Sequence, residues 1–403
     1  MPEAVIVSTA RSPIGRAFKG SLKDVRPDDL LAQIVQAALN KVPGLDPRTI
    51  DDVYVGAADN SGQHGNNIAR MVAIMLGLEN VPGASINRFC ASSVQTQRMA
   101  FHAIKAGEGD VFIAAGVECV SRYMGLVDGE KALNPLFDEA RARTAATALS
   151  NAPWTDPKVD GLWPDAYIAM GQTAENVATL RGVSRLEQDQ FAVESQNRAE
   201  KAIADGFFAR EITPVTLPDG SVVSADDGPR AGTTLEKLST LKPVFRETGT
   251  VTAGNACPLN DGAAALVIMS DTKAQELELT PLARIVSTGL SALSPEIMGL
   301  GPVDASTQAL ARAGMTIDDI DLFEINEAFA AQVLPSAEDL GIDLVKLNVH
   351  GGAIALGHPF GSTGARIATT LLNGLQSRDG QFGLETMCIA GGQGMAIIYE
   401  RLS

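Results

Sequence analysis

GEGDVFIAAGVE (107–118) and FGLETMCIAGGQG (382–394) decide the fold. Each runs from a turn into an apolar stretch and ends in small residues, as a strand buried on both faces would. Each follows a helical pattern that opens just after a turn with a chemically capable side chain. That side chain is Cys90 in the first copy and His358 in the second. Recurrence of one such unit points to an internal duplication, two half-domains facing one another.

Outward from these segments, strand-like runs recur at 4–10 (AVIVSTA), 53–58 (VYVGAA), 111–116, 264–269 (AALVIM), 322–325 (LFEI), 387–390 and 395–399 (MAIIY). Helical patterns lie between several of them. Leu30, Leu31, Ile34, Val35, Ala38 and Leu39 keep helical spacing. Ser184 and Glu187 form a capping box, and Gly206 is placed to end the helix they open. Alternating strand and helix predicts an α/β layered fold. Residues 122–252 are richer in Pro, Gly and charge, with weak strand signals, and read as an insertion of helices and loops.

At 403 residues the chain is long enough for two or three domains. The formal net charge of −16 argues against nucleic acid or an anionic membrane as partner. No apolar run approaches the roughly 18 residues that cross a bilayer. MPEAVIVSTA has no signal-peptide pattern and ERLS is no recognisable address, so a cytoplasmic enzyme is the default expectation. Cys90, Cys119, Cys257 and Cys388 are far apart and form no CxxC pair, so neither a metal site nor a disulfide framework is expected. His64, His102, His350 and His358 are equally dispersed.

Four motifs carry chemistry. In INRFCASSVQTQRMAFHAIKAG (86–107), Cys90 stands near a helix start, where exposed N–H groups favour thiolate. On composition alone a buried core cysteine is the commoner role. NVHGGAIALGHPFGSTGARIATTLL (348–372) places His358 among glycines 351, 352, 357, 361 and 364. Such a run lets backbone approach a ligand and resembles a phosphate cradle, although it lacks the Lys-Ser/Thr of a P-loop. The bland alternative is a solvated loop histidine. TMCIAGGQG (386–394) puts Cys388 at a strand end, and EINEAFA (324–330) puts Asn326 after a strand, where capping the next helix is the plainer role. Together the four supply a nucleophile, a base, an acid and an oxyanion donor at loop junctions, where α/β folds assemble sites.

NRFCASS, MGQTAEN (170–176), VTAGNACPLNDGAA (251–264), GLGPV (299–303), NEAFA, GGAIALGHPFGSTGAR and CIAGGQG, in that order, resemble the thiolase family across nearly the whole chain. The resemblance implies two similar βαβαβ-type halves forming a five-layered α/β core with an inserted loop domain. The expected boundaries are 1–121 plus 253–274 for the N-terminal half, 122–252 for the insertion and 275–403 for the C-terminal half. It implies a homodimer or homotetramer acting on acyl-CoA, with coenzyme A as co-substrate and no bound cofactor.

By the same resemblance Cys90 is the acyl-accepting nucleophile and His358 the histidine that activates it. Cys388 is the acid/base at the substrate α-carbon, and Asn326 holds a catalytic water. The N–H groups of Cys90 and Ala390 form an oxyanion hole. Met170 lines the acyl pocket. Arg230, Ala253 and Cys257 are placed along coenzyme A, and Lys237, Lys242 and Arg246 are expected to join Arg230 in a basic cluster that offsets the acidic total. Ser93 and Ala390 stand where the family has glycine, Cys257 where serine is usual and His350 where asparagine is common. Ser93 puts acyl-chain fit in question. Ala169 before Met170, where biosynthetic acetoacetyl-CoA thiolases often have histidine, leans the reading toward cleavage of 3-ketoacyl-CoA.

Three other readings stand beside it. One is a biosynthetic acetoacetyl-CoA thiolase. Another is a decarboxylating condensing enzyme, disfavoured by a second cysteine at Cys388. The third is a non-catalytic acyl-CoA-binding homologue, disfavoured by the intact Cys90, His358 and Cys388.

Overall fold

The computed structural model describes residues 2–123, 132–150 and 152–403. Strands run over Ala4–Arg11 (β1), Gly15–Arg16 (β2), Asp52–Gly56 (β3), Gly83–Ile86 (β4), Val111–Cys119 (β5), Val215–Thr216 (β6), Val222–Val223 (β7), Asn260–Ser270 (β8), Ala283–Ala292 (β9), Leu322–Ile325 (β10), Phe382–Ile389 (β11) and Gln393–Arg401 (β12). Helices run over Pro27–Leu39 (α1), Ile68–Met75 (α2), Ser92–Ala106 (α3), Asp138–Ser150 (α4), Met170–Arg181 (α5) and Arg185–Ala204 (α6). They continue with Leu235–Ser239 (α7), Asp271–Glu276 (α8), Gly301–Ala313 (α9), Ala330–Leu340 (α10), Ala353–Leu356 (α11) and Thr363–Arg378 (α12).

The main sheet has the order β10-β11-β12-β9-β1-β8-β5-β3-β4, with β2 added beside β8. Its two halves meet at β1 and β9, paired antiparallel through Val5–Arg284 and Ile6–Ala283 alone. Outward from that seam both halves repeat one pattern. An antiparallel neighbour (β8 or β12) is followed by a second antiparallel strand (β5 or β11) and then a parallel one (β3 or β10). The duplication read from 107–118 and 382–394 is this pairing, since those segments hold β5 and β11.

Three apolar clusters separate the layers. Helices α1 and α2 pack on the outer face of the first half around Leu30, Leu31, Ile34 and Val35. Helices α3 and α12 lie between the halves, with Val94, Ile104, Ile367 and Leu371. Helices α9 and α10 cover the second half through Ala305, Leu310 and Val333. The result is helix, sheet, helix, sheet, helix. Every residue of β5 and β8 is buried, which is why both strands are mainly apolar with little alternation, their polar residues (Glu118, Asn260, Asp261 and Ser270) lying near the strand ends.

Helices α4 to α7 and the β6–β7 ribbon come from the 122–252 stretch, and none of them joins the main sheet. Residues 124–131 and 151 of that stretch lie outside the described residues. The capping box forms as expected: the Ser184 side chain accepts from Glu187 N–H, and the Glu187 carboxylate accepts from Ser184 N–H at 2.7 Å. Helix α6 then runs to Ala204, and Gly206 takes the left-handed conformation just beyond it. Among the described residues no helix is long and apolar enough to cross a membrane.

Candidate active site

Strand β4 leads into a single 3-10 turn, Phe89–Ala91, and α3 begins at Ser92. Phe89 is left-handed, with φ of 46°, a strained conformation for an aromatic residue. The Ser92 hydroxyl holds the turn: it accepts from Arg88 N–H at 2.9 Å and donates to Phe89 C=O at 2.7 Å. Cys90 is thereby fixed at the mouth of α3 and is buried.

The thiolate expected from that helix start does not follow. Burial, with a smaller push from Glu118 in the same direction, takes the Cys90 thiol up to about 12. The nearby backbone N–H groups of Ala390 and of Cys90 itself only partly oppose this. The two residues expected to supply an oxyanion hole are thus both neighbours of the thiol. Ala390 can present its N–H because Gly391 and Gly392, at φ of 76° and 75°, turn the chain back into β12.

His358 is no solvated loop residue; it is buried, with Phe360 edge-on at 4.9 Å. Its ring is held at both nitrogens. Thr363 Oγ1 lies 2.7 Å from Nδ1 and 2.9 Å from Pro359 C=O. The one hydroxyl hydrogen goes to the carbonyl, so Nδ1–H donates to Thr363 and Nε2 is the bare, basic nitrogen. Asn326 Nδ2 donates to Nε2 at 3.2 Å. Burial, and then the Arg366 guanidinium, push His358 down to about 3.

Asn326 is not a helix cap, because α10 starts at Ala330 with Phe329 before it. Its Oδ1 is buried and has no hydrogen-bond partner among the described residues. Cys388 is fully buried at the end of β11, which pushes its thiol well above the usual range, with Cys90 and Cys257 as electrostatic neighbours. Met170 and Cys257 pack in the same apolar cluster as Cys388, with Phe245, Met298 and Phe329. Cys257 N–H donates to Ala328 C=O, tying that wall to the Asn326 loop.

The glycines around His358 meet protein, not an open cradle. A Cβ at Gly352 would lie within 2.3 Å of the Glu327 carboxylate, and one at Gly361 within 2.5 Å of Val117 O. These glycines permit close packing, which corrects the phosphate-cradle reading. His350 stacks on Phe207 at 3.6 Å between ring centres, and no chemistry attaches to it.

Arg230 and Ala253 line one cavity with Gln196, Gly254, Ile354 and a second cation, Arg16. The expected basic cluster is otherwise absent from it. Arg246 is buried against Gln172 and Asn176, and Lys237 Nζ caps Gly232 C=O. Charge spacing along a loop does not say which way each side chain turns. Thr363 and Arg16 were missed as site residues, although Thr363 lies within the quoted histidine motif. Among the described residues no cluster of three or more His, Cys, Asp or Glu could hold a metal ion.

Residues 4–272 match the thiolase N-terminal domain and residues 279–401 the thiolase C-terminal domain. The chain is 44% identical over 411 residues to a 3-ketoacyl-CoA thiolase of Aeromonas hydrophila, covering all of both chains. It is 45% identical to the 3-oxoadipyl-CoA/3-oxo-5,6-dehydrosuberyl-CoA thiolase of Escherichia coli K12, again over the full length of both. The crystal structure of the Bacillus anthracis acetyl-CoA acetyltransferase superposes with a TM-score of 0.87 at 38% identity, covering 100% of this chain and 99% of that one. The chain belongs to the thiolase family. Its chemistry is the acyl transfer of that family, and acyl-CoA thioesters are its substrates.

Proposed function

We propose that the enzyme cleaves 3-ketoacyl-CoA with coenzyme A, releasing acetyl-CoA and a shortened acyl-CoA, through an acyl-Cys90 intermediate. The observation that carries this reading is the packing of the turn that follows His358 on the turn of Cys90, with the imidazole oriented by Thr363 so that Nε2 is its basic nitrogen.

His358 Nε2 gives up its long contact to Asn326 and takes the Cys90 proton as sulfur attacks the 3-keto carbon. The oxyanion that develops is met by the N–H groups of Cys90 and Ala390; such donors are worth about 3–4 kcal/mol each. Cleavage of the Cα–Cβ bond leaves an acetyl-CoA carbanion equivalent, which Cys388 protonates. Coenzyme A thiol then attacks the acyl-Cys90 thioester. Asn326, with its unpartnered Oδ1, suits the holding of a water beside His358.

Met170, Cys257 and Phe245 line the acyl and pantetheine path, and the coenzyme A phosphates lie by Arg230 and Arg16, with Ala253 on the cavity wall. Ala169 before Met170 and the full-length likeness to a 3-ketoacyl-CoA thiolase support the cleavage direction, in fatty-acid or related degradation. We place the enzyme in the cytoplasm as a homo-oligomer. Strand β4 is a sheet edge, and Phe89, Met71, Ile74 and Met75 nearby in sequence are exposed, which suits a subunit contact there.

Incubation with acetyl-CoA, digestion and mass spectrometry should place an acetyl group on the peptide containing Cys90. A thiolysis assay across 3-ketoacyl-CoA chain lengths should then give turnover. Label on Cys257 or Cys388, or no thiolysis at any length, would overturn the reading.

A further inference from the structure

Glu118, next to last in β5, is fully buried and no step above uses it. Its Oε2 accepts from Ala58 N–H at 2.7 Å and Gly361 N–H at 2.8 Å. Its Oε1 accepts from the Tyr123 hydroxyl at 2.8 Å and from Asp59 N–H at 3.4 Å. Ala58 and Asp59 follow β3. Gly361 sits three residues after His358, in the 3-10 turn Phe360–Ser362 that opens α12. That turn has no slack, since any Cβ at Gly361 would strike Val117 O and Gly56 O.

The other side of the same segment is gripped by the nucleophile's turn. Asn87 Nδ2 donates to Ala58 C=O at 2.9 Å, while Asn87 Oδ1 accepts from Phe89 N–H at 2.9 Å. A continuous chain of hydrogen bonds thus runs from the Cys90 turn through Asn87, Ala58 and Glu118 to Gly361 and the His358 turn. It crosses from one half of the duplicated fold to the other. We propose that Glu118 is the positioning residue of the nucleophile–base pair, its carboxylate locking both turns and so setting the distance between the Cys90 sulfur and His358 Nε2. This rests on Cys90 and His358 being nucleophile and base.

The charges around Glu118 allow its role to be separated from simple packing. His64 Nε2 lies 3.8 Å from Oε1 but accepts from Cys119 N–H at 2.9 Å, so that imidazole is neutral, and burial pushes it down to about 4. Asp59 and Tyr123 also face the carboxylate. Cys90 faces Glu118, Cys257 and Cys388, and no cation contributes to its titration. Burial raises Glu118 itself to about 7, so its charge is present above that pH; there, removing it should make Cys90 more acidic, and hence faster to alkylate, even as turnover falls. Loss of packing alone has no such signature.

The test compares the parent with Glu118→Ala and Glu118→Gln, measuring kcat and KM, folded content by circular dichroism, and the rate at which iodoacetamide modifies Cys90 across pH. Glu118→Ala should lose about 100-fold in kcat, the size of effect expected from a misplacement near 1 Å, with KM little changed. Glu118→Gln keeps an acceptor for Ala58 and Gly361 and should recover part of that loss. Above pH 7, where Glu118 is ionised, both should alkylate Cys90 faster than the parent, by about tenfold if the thiol moves by one pKa unit, and below it the difference should fade. Parental kcat in folded Glu118→Ala would overturn the proposal. If that variant does not fold, Glu118→Gln decides: parental kcat with a parental alkylation profile overturns it equally. Alkylation of Cys90 in the parent without loss of thiolysis would sink the assignment of the nucleophile, and this proposal with it.

Discussion

At the scale of single residues, the resting site holds a neutral thiol and a neutral imidazole. Cys90 stays protonated below about 12 and His358 stays unprotonated above about 3. Magnitudes decide against a thiolate. A helix start is worth roughly 0.3–1 kcal/mol, whereas a rise from 9 to about 12 corresponds to about 4 kcal/mol. Alkylation of Cys90 by iodoacetamide should therefore climb about tenfold per pH unit, the slope of simple thiol ionisation, with no plateau below pH 10. Mass spectrometry of the Cys90 peptide against pH checks this; a plateau near neutrality would mean a preformed thiolate. In the proposed mechanism the second thiol, Cys388, has a different task. Cys388→Ser conserves volume but raises the side-chain pKa far above the ~8.5 of a thiol. The variant should still take acetyl from acetyl-CoA onto Cys90 while losing thiolysis by orders of magnitude. If it exchanged the α-proton of bound acetyl-CoA with D₂O as fast as the parent, Cys388 would be a packing residue. Cys90, His358, Asn326 and Cys388 were legible because motif order carries them. Their protonation was not, since burial depends on what the distant halves bring together.

At the scale of elements, the place of Ser93 is settled by what it bonds. Helix α12 begins with no side-chain cap of its own at Ser362, and Ala365 N–H, in its first turn, is donated to Ser93 Oγ at 2.9 Å. A residue of α3 thus satisfies a free end of α12, its partner in the duplication. The side chain faces the helix pair, so the question of acyl-chain fit raised by the missing glycine does not attach to it. Ser93→Ala should leave that N–H unpaired and cost about 1 kcal/mol, as loss of an N-cap does. Urea unfolding should show a lower midpoint with unchanged slope; an unchanged midpoint would mean that water or another group satisfies Ala365. Most of the main-sheet strands were readable from apolar runs. Strands β2, β4 and β9 were not: β2 has only two residues, ARIVSTGLSA mixes Ser, Thr and Gly with its apolar residues, and GASI is short and only half-buried. All three hold their places through pairing with neighbours, which no local pattern reports.

For the whole molecule, the difficulty is how a chain of net charge −16 binds a polyanion. Part of the answer is that some of its acids are spent internally. Asp226 holds Arg11 through two hydrogen bonds, at 2.8 and 3.0 Å, and also accepts from Ile14 N–H. Asp227 accepts from Arg16 N–H at 3.0 Å and from the backbone and hydroxyl of Ser21. These two carboxylates stitch the loop after β7 to the segment after β1, and Arg16 donates to Gly228 C=O across the seam. The consequence is positional: Arg16, from one end of the sequence, and Arg230, from the insertion, are brought to one cavity. The sequence showed Arg230 but not its companion, because the two are joined only by this long-range clamp. In the proposed binding mode both guanidinium groups act on a part of coenzyme A remote from the reacting carbons, so they should contribute nearly equally to ground and transition states. Arg230→Ala and Arg16→Gln should each raise KM for coenzyme A about 10–100-fold, the loss of one charge-assisted hydrogen bond, with kcat little altered. Added salt should raise the parental KM in the same direction and flatten the difference. Acyl transfer from an N-acetylcysteamine thioester, which has no phosphates, should be equal in parent and variants. If KM for coenzyme A were unmoved in both variants, the phosphates would bind elsewhere, and the cavity shared by Arg16 and Arg230 would be a packing defect left by the clamp.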